Sequence, residues 1–407
     1  MKKFFLYLYR WIMWNVFSRI FVTFYLMPLY RFKKSKDSDK LPKPPFIIVS
    51  NHGTFFDPWI IGYFSYYPFA IMCNDEAFTR GAVTRWYLNS IGAFPKKKGA
   101  SDFKAMKKTI HYLNNKYPVC IFPEGQTSWN GETQLIYKGI EKIIKKTGVS
   151  LVLTRICGNF LTKPWWADYK RKGKITVTYK TITSQEIKNL SEQEIFDLIK
   201  NFIYHNDIKT HLNKQNDFKG KNLAEGLERY IWICMNCESE DTLKTVSNQI
   251  ICTSCQSKWN IDALCRIKPL KENIKSFNDL YDLSIWHKTK VLEKINKSNN
   301  SQILTKSINV LMQKGDTNIV FHDIGIGNME LTLKTLTFYN INFPLINYSF
   351  NIDKLETIVI QKKDILEFLY DGKYYRFSFN RKSPMKWIYY LRYLKGYEKF
   401  EEQGYIE

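Results

Sequence analysis

Phe46-Ile-Ile-Val-Ser-Asn-His52-Gly-Thr-Phe-Phe-Asp57-Pro58 is the stretch on which the reading of this chain turns. Its opening residues are apolar and rich in β-branched side chains, as a short strand buried on both faces requires. Asn51 to Phe56 interrupt the run, and Pro58 is favoured as a first helical residue. The pattern predicts strand, turn and helix, with His52 on the turn and Asp57 at the helix start. On one regular helix five residues sweep about 500°, leaving the two side chains about 140° apart. Only the turn-then-helix arrangement lets them meet. Histidine titrates near neutrality, and a carboxylate on its second ring nitrogen fixes its tautomer, so His52 and Asp57 are candidates for a general base and its orienter. Taken alone, they also read as a loop histidine and a helix N-cap.

Moving outward, short apolar runs alternate with helical patterns as far as about residue 205. Pro118-Val-Cys-Ile-Phe122 and Ser150-Leu-Val-Leu-Thr154 read as strands, and 101–116 and 134–147 as helices, which predicts an α/β layer architecture. Ile121-Phe-Pro-Glu124-Gly125-Gln-Thr-Ser128 leaves a strand through a glycine that permits close backbone approach, making Glu124 and Gly125 candidates for positioning a substrate. Gly92-Ala-Phe-Pro-Lys96-Lys97-Lys98-Gly99 gathers three lysines on a tight connection, a candidate cradle for an anionic headgroup. A solvated turn and a charged loop are the plainer readings of these two segments in isolation.

Together and in this order, the three blocks resemble the glycerolipid acyltransferase family that includes 1-acylglycerol-3-phosphate acyltransferase. That family carries a His-x4-Asp motif after a strand, a Gly-x5-Arg block and a Phe-Pro-Glu-Gly-Thr-Arg-Ser block. His52 and Asp57 match the first, Gly92 opens the second, and Phe122, Pro123, Glu124, Gly125 and Ser128 match the third. Lys98 stands where the second block has arginine, and Gln126-Thr127 replace Thr-Arg in the third, so two arginines associated with the acceptor's phosphate are absent. The resemblance spans about residues 40–205. It implies an O-acyltransferase in which His52 takes the proton of an acceptor hydroxyl, Asp57 orients His52, and amides of the 51–54 turn face the oxyanion. Glu124, Gly125 and Lys96 to Lys98 would hold the acceptor. The donor would be acyl-CoA or acyl-carrier protein, with no catalytic cofactor. The acceptor implied first is the lysophospholipid 1-acylglycerol-3-phosphate, giving phosphatidate; the lost arginines keep another lysolipid or a glycolipid open.

The rest of the composition agrees. The chain has 407 residues, which predicts more than one folding unit, and a formal charge of +23, which calls for an anionic partner. The first 32 residues hold twelve aromatics and are followed by Arg31, Lys33, Lys34 and Lys36. Arg10 and Arg19 interrupt the apolar run; 900° apart on a regular helix, they project to opposite sides. Arg19 at a bilayer centre would cost about 2.5–3.5 kcal/mol. The expected arrangement is therefore a helical segment at the membrane interface, monotopic or peripheral on the cytoplasmic face, with the basic run on anionic lipid. A cleaved signal is not expected, because no small-residue cleavage site follows.

Further on, Cys234-x2-Cys237-x14-Cys252-x2-Cys255 has the spacing of two zinc knuckles, so a structural Zn²⁺ in a small ribbon is expected. The other cysteines, 73, 120, 157 and 265, read as small buried apolar residues. Strand-like runs from about 305 to 380 and a last helix bearing Trp387 resemble a pleckstrin-homology or GRAM-type domain. The expected organisation is an interfacial anchor at 1–39, an acyltransferase domain at 40–222 with 205–222 as a connecting loop, a ribbon at 223–267, and a helical linker with a β domain at 268–407. A zinc-ribbon nucleic-acid-binding protein and an inactive membrane adaptor are the contrasting classes. Nucleic acid is not expected, since the aromatics gather at the N-terminus instead of interleaving with a basic patch.

Overall fold

The computed structural model describes residues 2–79, 81–96, 103–211, 217–315, 320–341 and 343–396. The described residues divide into two units, one made by residues up to 165 and 170–220, the other by 166–169 and 221–396.

The first unit is built on a mixed seven-stranded sheet. Its strands are β1 (Lys33–Lys34), β2 (Phe46–Ser50), β3 (Ala70–Asn74), β4 (Phe94–Lys96), β5 (Val119–Ile121), β6 (Ser150–Cys157) and β7 (Thr176–Ile182). They lie in the order β1-β7-β6-β2-β5-β3-β4. Neighbours run parallel except β6 with β7. Alternate residues of the central strands feed two cores, which is why β2 reads as a continuous apolar run. Ile47, Val49, Val119, Ile121, Leu151 and Leu153 join one core, Phe46, Ile48, Cys120 and Val152 the other.

Residues 2–30 are helical and supply part of the second core through Met13, Trp14, Val22, Leu26 and Tyr30. Trp14 Nε1 donates to the carbonyls of Phe69 (3.2 Å) and Ile91 (3.1 Å). The segment expected as an interfacial anchor is thus packed on the α/β sheet. Its outer face leaves Phe4 (66%), Phe5 (63%), Phe17 and Phe24 (77%) exposed. By length and composition, Phe4–Tyr30 is apolar enough to cross a membrane. A π-helical stretch, Met13–Ser18, lies between Arg10 and Arg19; i→i+5 bonding adds about one residue, or roughly 100°, to the phase. Arg10 stacks over Tyr112 and Tyr117, at 5.1 and 5.0 Å. Arg19 stacks over Tyr63 and Tyr66, at 5.0 and 5.3 Å. Both charges lie against aromatic faces of the same unit.

Two expectations shift within this unit. The helix forecast over 134–147 begins only at Ile140. The supposed loop at 205–222 contains the short helix Asp207–His211, with Ile208 and Phe218 buried.

The second unit opens with a small antiparallel sheet of β8 (Leu243–Val246), β9 (Gln249–Cys252), β10 (Lys258–Ile261) and β11 (Ile267–Pro269). Helix Leu280–Lys297 leads to an antiparallel seven-stranded sheet: β12 (Thr305–Gly315), β13 (Phe321–Leu331), β14 (Thr335–Asn340), β15 (Asn347–Asn351), β16 (Glu356–Gln361), β17 (Ile365–Tyr370) and β18 (Lys373–Ser378). Helix Met385–Leu394 closes this mostly-β domain, with Trp387 fully buried. Ser383 Oγ accepts from Lys386 N (3.4 Å) and donates to the Tyr230 carbonyl (3.1 Å). Lys386 is completely buried; its ammonium pairs with Asp241 beside the small sheet and donates to the Lys306 carbonyl on β12 (2.7 Å).

Candidate active site

The turn after β2 brings His52 and Asp57 together. Asp57 opens the helix Asp57–Tyr63 with Pro58 behind it, and its carboxylate reaches back over the turn. Oδ2 accepts from His52 Nδ1 (2.9 Å), Gly53 N (2.8 Å) and Thr54 N (2.9 Å). Oδ1 accepts from Thr54 Oγ1 (2.7 Å) and Asn159 Nδ2 (3.0 Å). These donors come from the preceding turn and from the segment after β6, so Asp57 is more than an N-cap. The carboxyl is fully buried, and the two backbone amides facing it can only donate. With Nδ1–H tied to it, His52 presents Nε2 as the basic nitrogen. The imidazole stacks on Phe122, ring centres 4.3 Å apart. At Gly53 a Cβ would lie 2.6 Å from Asn159 Nδ2, so glycine is required for this close approach.

Glu124 lies directly beneath. It is 1% exposed; Oε1 accepts from His52 N (2.6 Å) and Oε2 from Gln134 N (2.5 Å). Burial pushes its carboxyl well above the usual range against the pull of those two amides, and the Asp57 charge pushes the same way. Each oxygen of Glu124 accepts a backbone amide, so the carboxyl fixes the His52 turn. The oxyanion expectation changes too: the amides of His52, Gly53 and Thr54 all point at carboxylates. Gly125 takes φ +66°, and a Cβ there would meet the Tyr137 ring at 3.2 Å. Lys96 sits 5.7 Å from the Tyr137 ring centre; Lys97 and Lys98 lie outside the described residues.

His52 and Glu124 open onto a shallow cleft shared with Glu132, Asn159, His205 and Asp207. Sequence reasoning missed these four. His205 Nε2 stands 2.7 Å from Asp207 Oδ1, making a second His–Asp pair. The residues between them and His52 hold both carboxylates: Gly158 N and Phe160 N donate to Asp207 (2.6 and 2.9 Å), while Asn159 donates to Asp57. The His-x-Asp spacing was visible, but the long separation from His52 hid its place.

In the second unit, Cys234, Cys237, Cys252 and Cys255 converge, their sulfurs within 4.8 Å of one another. Cys234 to Cys255 is 3.7 Å and Cys237 to Cys252 is 3.8 Å. A tetrahedron with Zn–S arms of about 2.3 Å has edges of about 3.8 Å, so the four fit one Zn²⁺; a disulfide needs about 2.05 Å. Asn236 N and Cys255 N donate to the Cys234 and Cys252 sulfurs (3.4 and 3.5 Å), which orients them.

The α/β sheet thus places a carboxylate-held histidine on the turn after a central strand. Residues 33–155 match the Acyltransferase family, and that match supports an acyltransferase domain. Among solved structures, the 1-acyl-sn-glycerophosphate (LPA) acyltransferase PlsC from Thermotoga maritima aligns at TM-score 0.38 and 18% identity, over 52% of this chain and 96% of that one. The Vps36 N-terminal PH domain aligns at TM-score 0.20 and 12% identity, over 24% of this chain and 82% of that one.

Proposed function

We propose that this protein is a membrane-associated glycerolipid O-acyltransferase that moves an acyl chain from acyl-CoA or acyl-carrier protein to a lysophospholipid hydroxyl. The observation that carries the reading is the 2.9 Å contact between His52 Nδ1 and the buried Asp57 carboxylate, inside the segment that matches the acyltransferase family. His52 Nε2 takes the acceptor's proton as its oxygen attacks the thioester carbonyl. Asp57 stabilises the imidazolium that forms, and the donor thiolate leaves. Glu124 and Gly125 keep the turn in register.

The acceptor proposed first is 1-acylglycerol-3-phosphate, with Lys96, Lys97 and Lys98 facing its phosphate. A lysolipid or glycolipid with an uncharged headgroup is the second reading. It is favoured by the described cleft residues, which include Glu132 and no lysine or arginine. The exposed aromatic face of residues 2–30 supports interfacial attachment: a helix whose opposite face is packed on the sheet offers the lipid one side only. The four knuckle cysteines are proposed to hold a structural Zn²⁺, which with four protein ligands has no open position for chemistry.

The test is purified full-length protein with acyl-CoA, or acyl-carrier protein, and a panel of lysolipids and glycolipids, with new acylated lipid read by mass spectrometry. Product from lysophosphatidic acid alone selects the first acceptor, and product only from uncharged acceptors the second. His52→Ala is expected to abolish product while leaving vesicle binding intact; retained turnover would overturn the role of His52.

A further inference from the structure

Asn159 is fixed by the residues on either side of it. The amides of Gly158 and Phe160 donate to Asp207 Oδ1 (2.6 Å) and Oδ2 (2.9 Å). Between them, the Asn159 side chain reaches Asp57 Oδ1 (3.0 Å), the oxygen that does not touch His52. Asp207 also holds the His52 turn by a second route. Its own amide donates to the Gly131 carbonyl (2.9 Å), Gly131 N donates to Ser128 Oγ (2.9 Å), and Ser128 N donates to the His52 carbonyl (3.0 Å). The two routes start at one carboxylic residue and close on His52, one at its backbone and the other, through Asn159 and Asp57, at its imidazole. An aspartate present for folding alone needs only satisfied partners. This one places its two oxygens on the two amides that flank the side chain supporting Asp57.

Asp207 is 1% exposed, and His205 Nε2 stands 2.7 Å from its Oδ1. Burial pushes the Asp207 carboxyl up, but His205, His211 and the Gly158 amide outweigh this and hold it below the usual carboxylate range. Burial likewise opposes a charge on His205, yet its contacts with Asp207 and Cys157 raise its pKa to about 10. The two make a buried ion pair, and breaking such a pair from one side is strongly unfavourable. Side chains locked in this way hold a neighbouring site to its working geometry.

We propose that Asp207, paired with His205, is a positioning residue for the His52–Asp57 pair. It fixes Asn159, Asn159 fixes the rotation of the Asp57 carboxylate, and Asp57 keeps hydrogen on His52 Nδ1 so that Nε2 faces the acceptor. Asp207 itself touches no reacting atom. That the proton taken belongs to a lipid hydroxyl rests on the acyltransferase reading; the hold on His52 does not.

The test reads the His52 ring directly. Full-length protein labelled with ¹⁵N-histidine is compared by NMR as wild type, Asp207→Asn and Asn159→Ala, with His52→Ala assigning the His52 nitrogens and circular dichroism checking the fold. On the neutral wild-type ring the two nitrogens should give widely separated signals, the mark of a single tautomer with hydrogen on Nδ1. In both variants the signals are expected to approach each other as the two tautomers mix. In lipid-product assays the same variants should lose about 10–100-fold in kcat, with KM for donor and acceptor within about twofold. The double variant should lose no more than the worse single one. If Asp207→Asn does not fold, His205→Gln takes its place with the same expected signal change, since it keeps a side-chain donor at Asp207 and removes the charge. Wild-type nitrogen signals in either folded variant overturn the proposal. So do losses that multiply in the double variant, or a loss carried by KM alone, which marks Asp207 as a substrate contact. Altered signals with no product from any acceptor retire the acyltransferase reading and leave the positioning role standing.

Discussion

Asp57→Asn separates the chemistry of the site from its architecture. The substitution keeps the shape of the side chain and removes its charge. Oδ2 carries three donors, two of them amides that cannot reverse, whereas Oδ1 carries the Thr54 hydroxyl and the Asn159 side-chain amide. The new amide nitrogen is therefore expected on the Oδ1 side, where the hydroxyl can turn to accept and Asn159 can flip. The three bonds on the other oxygen persist but lose their ionic character, about 1 kcal/mol each. Relief from burying a charge offsets part of that, so the net cost to folding is expected to stay below about 3 kcal/mol. Transfer suffers far more, because nothing then stabilises the His52 imidazolium. By analogy with other acid–histidine pairs, kcat should fall about 10³–10⁴-fold, roughly 4–5.5 kcal/mol of barrier. The assay is formation of acylated lipid under saturating substrates, with thermal denaturation in parallel. Turnover within tenfold of wild type in a folded Asp57→Asn protein would refute the role of the carboxylate. A protein that fails to fold would refute the hydrogen-bond argument.

Two further outcomes are expected. Replacing Phe4, Phe5, Phe17 and Phe24 together by Ser removes exposed apolar surface without touching the buried face of that helix; it should lower partition onto anionic vesicles at least tenfold in a sedimentation assay and leave the melting temperature within a few degrees. Purified protein should contain one zinc per chain by elemental analysis. Cys252→Ser should remove it and lower the melting temperature of the second unit, and a stoichiometry near zero in fully reduced protein would sink the metal assignment.

Much of this site was legible because it is local. His52, Asp57 and Pro58 fall within one turn, and the chemistry of that turn follows from residue types and spacing. The knuckle cysteines were legible for the same reason. What stayed hidden depends on contacts between distant segments. Gln134 was read as helical, yet its amide is held by Glu124 and Tyr137 N bonds the Pro123 carbonyl, so the helix waits until after Gly139. Asn159 is 102 residues from the carboxylate it supports. His205 and Asp207 sit in a polar stretch with the composition of a loop, and only the fold carries them to the cleft. The aromatic partners of Arg10 and Arg19 lie in distant segments, which composition does not announce.

Lys386 gives the second unit a property that neither of its sheets has alone. Its buried ammonium is shared between Asp241, next to the cysteine knuckles, and the backbone of β12. Pulling the two sheets apart would leave a charge stranded in an apolar interior, a loss of several kcal/mol. The small sheet and the β domain should therefore melt in a single step. Neither piece could be transplanted to another chain without bringing the other.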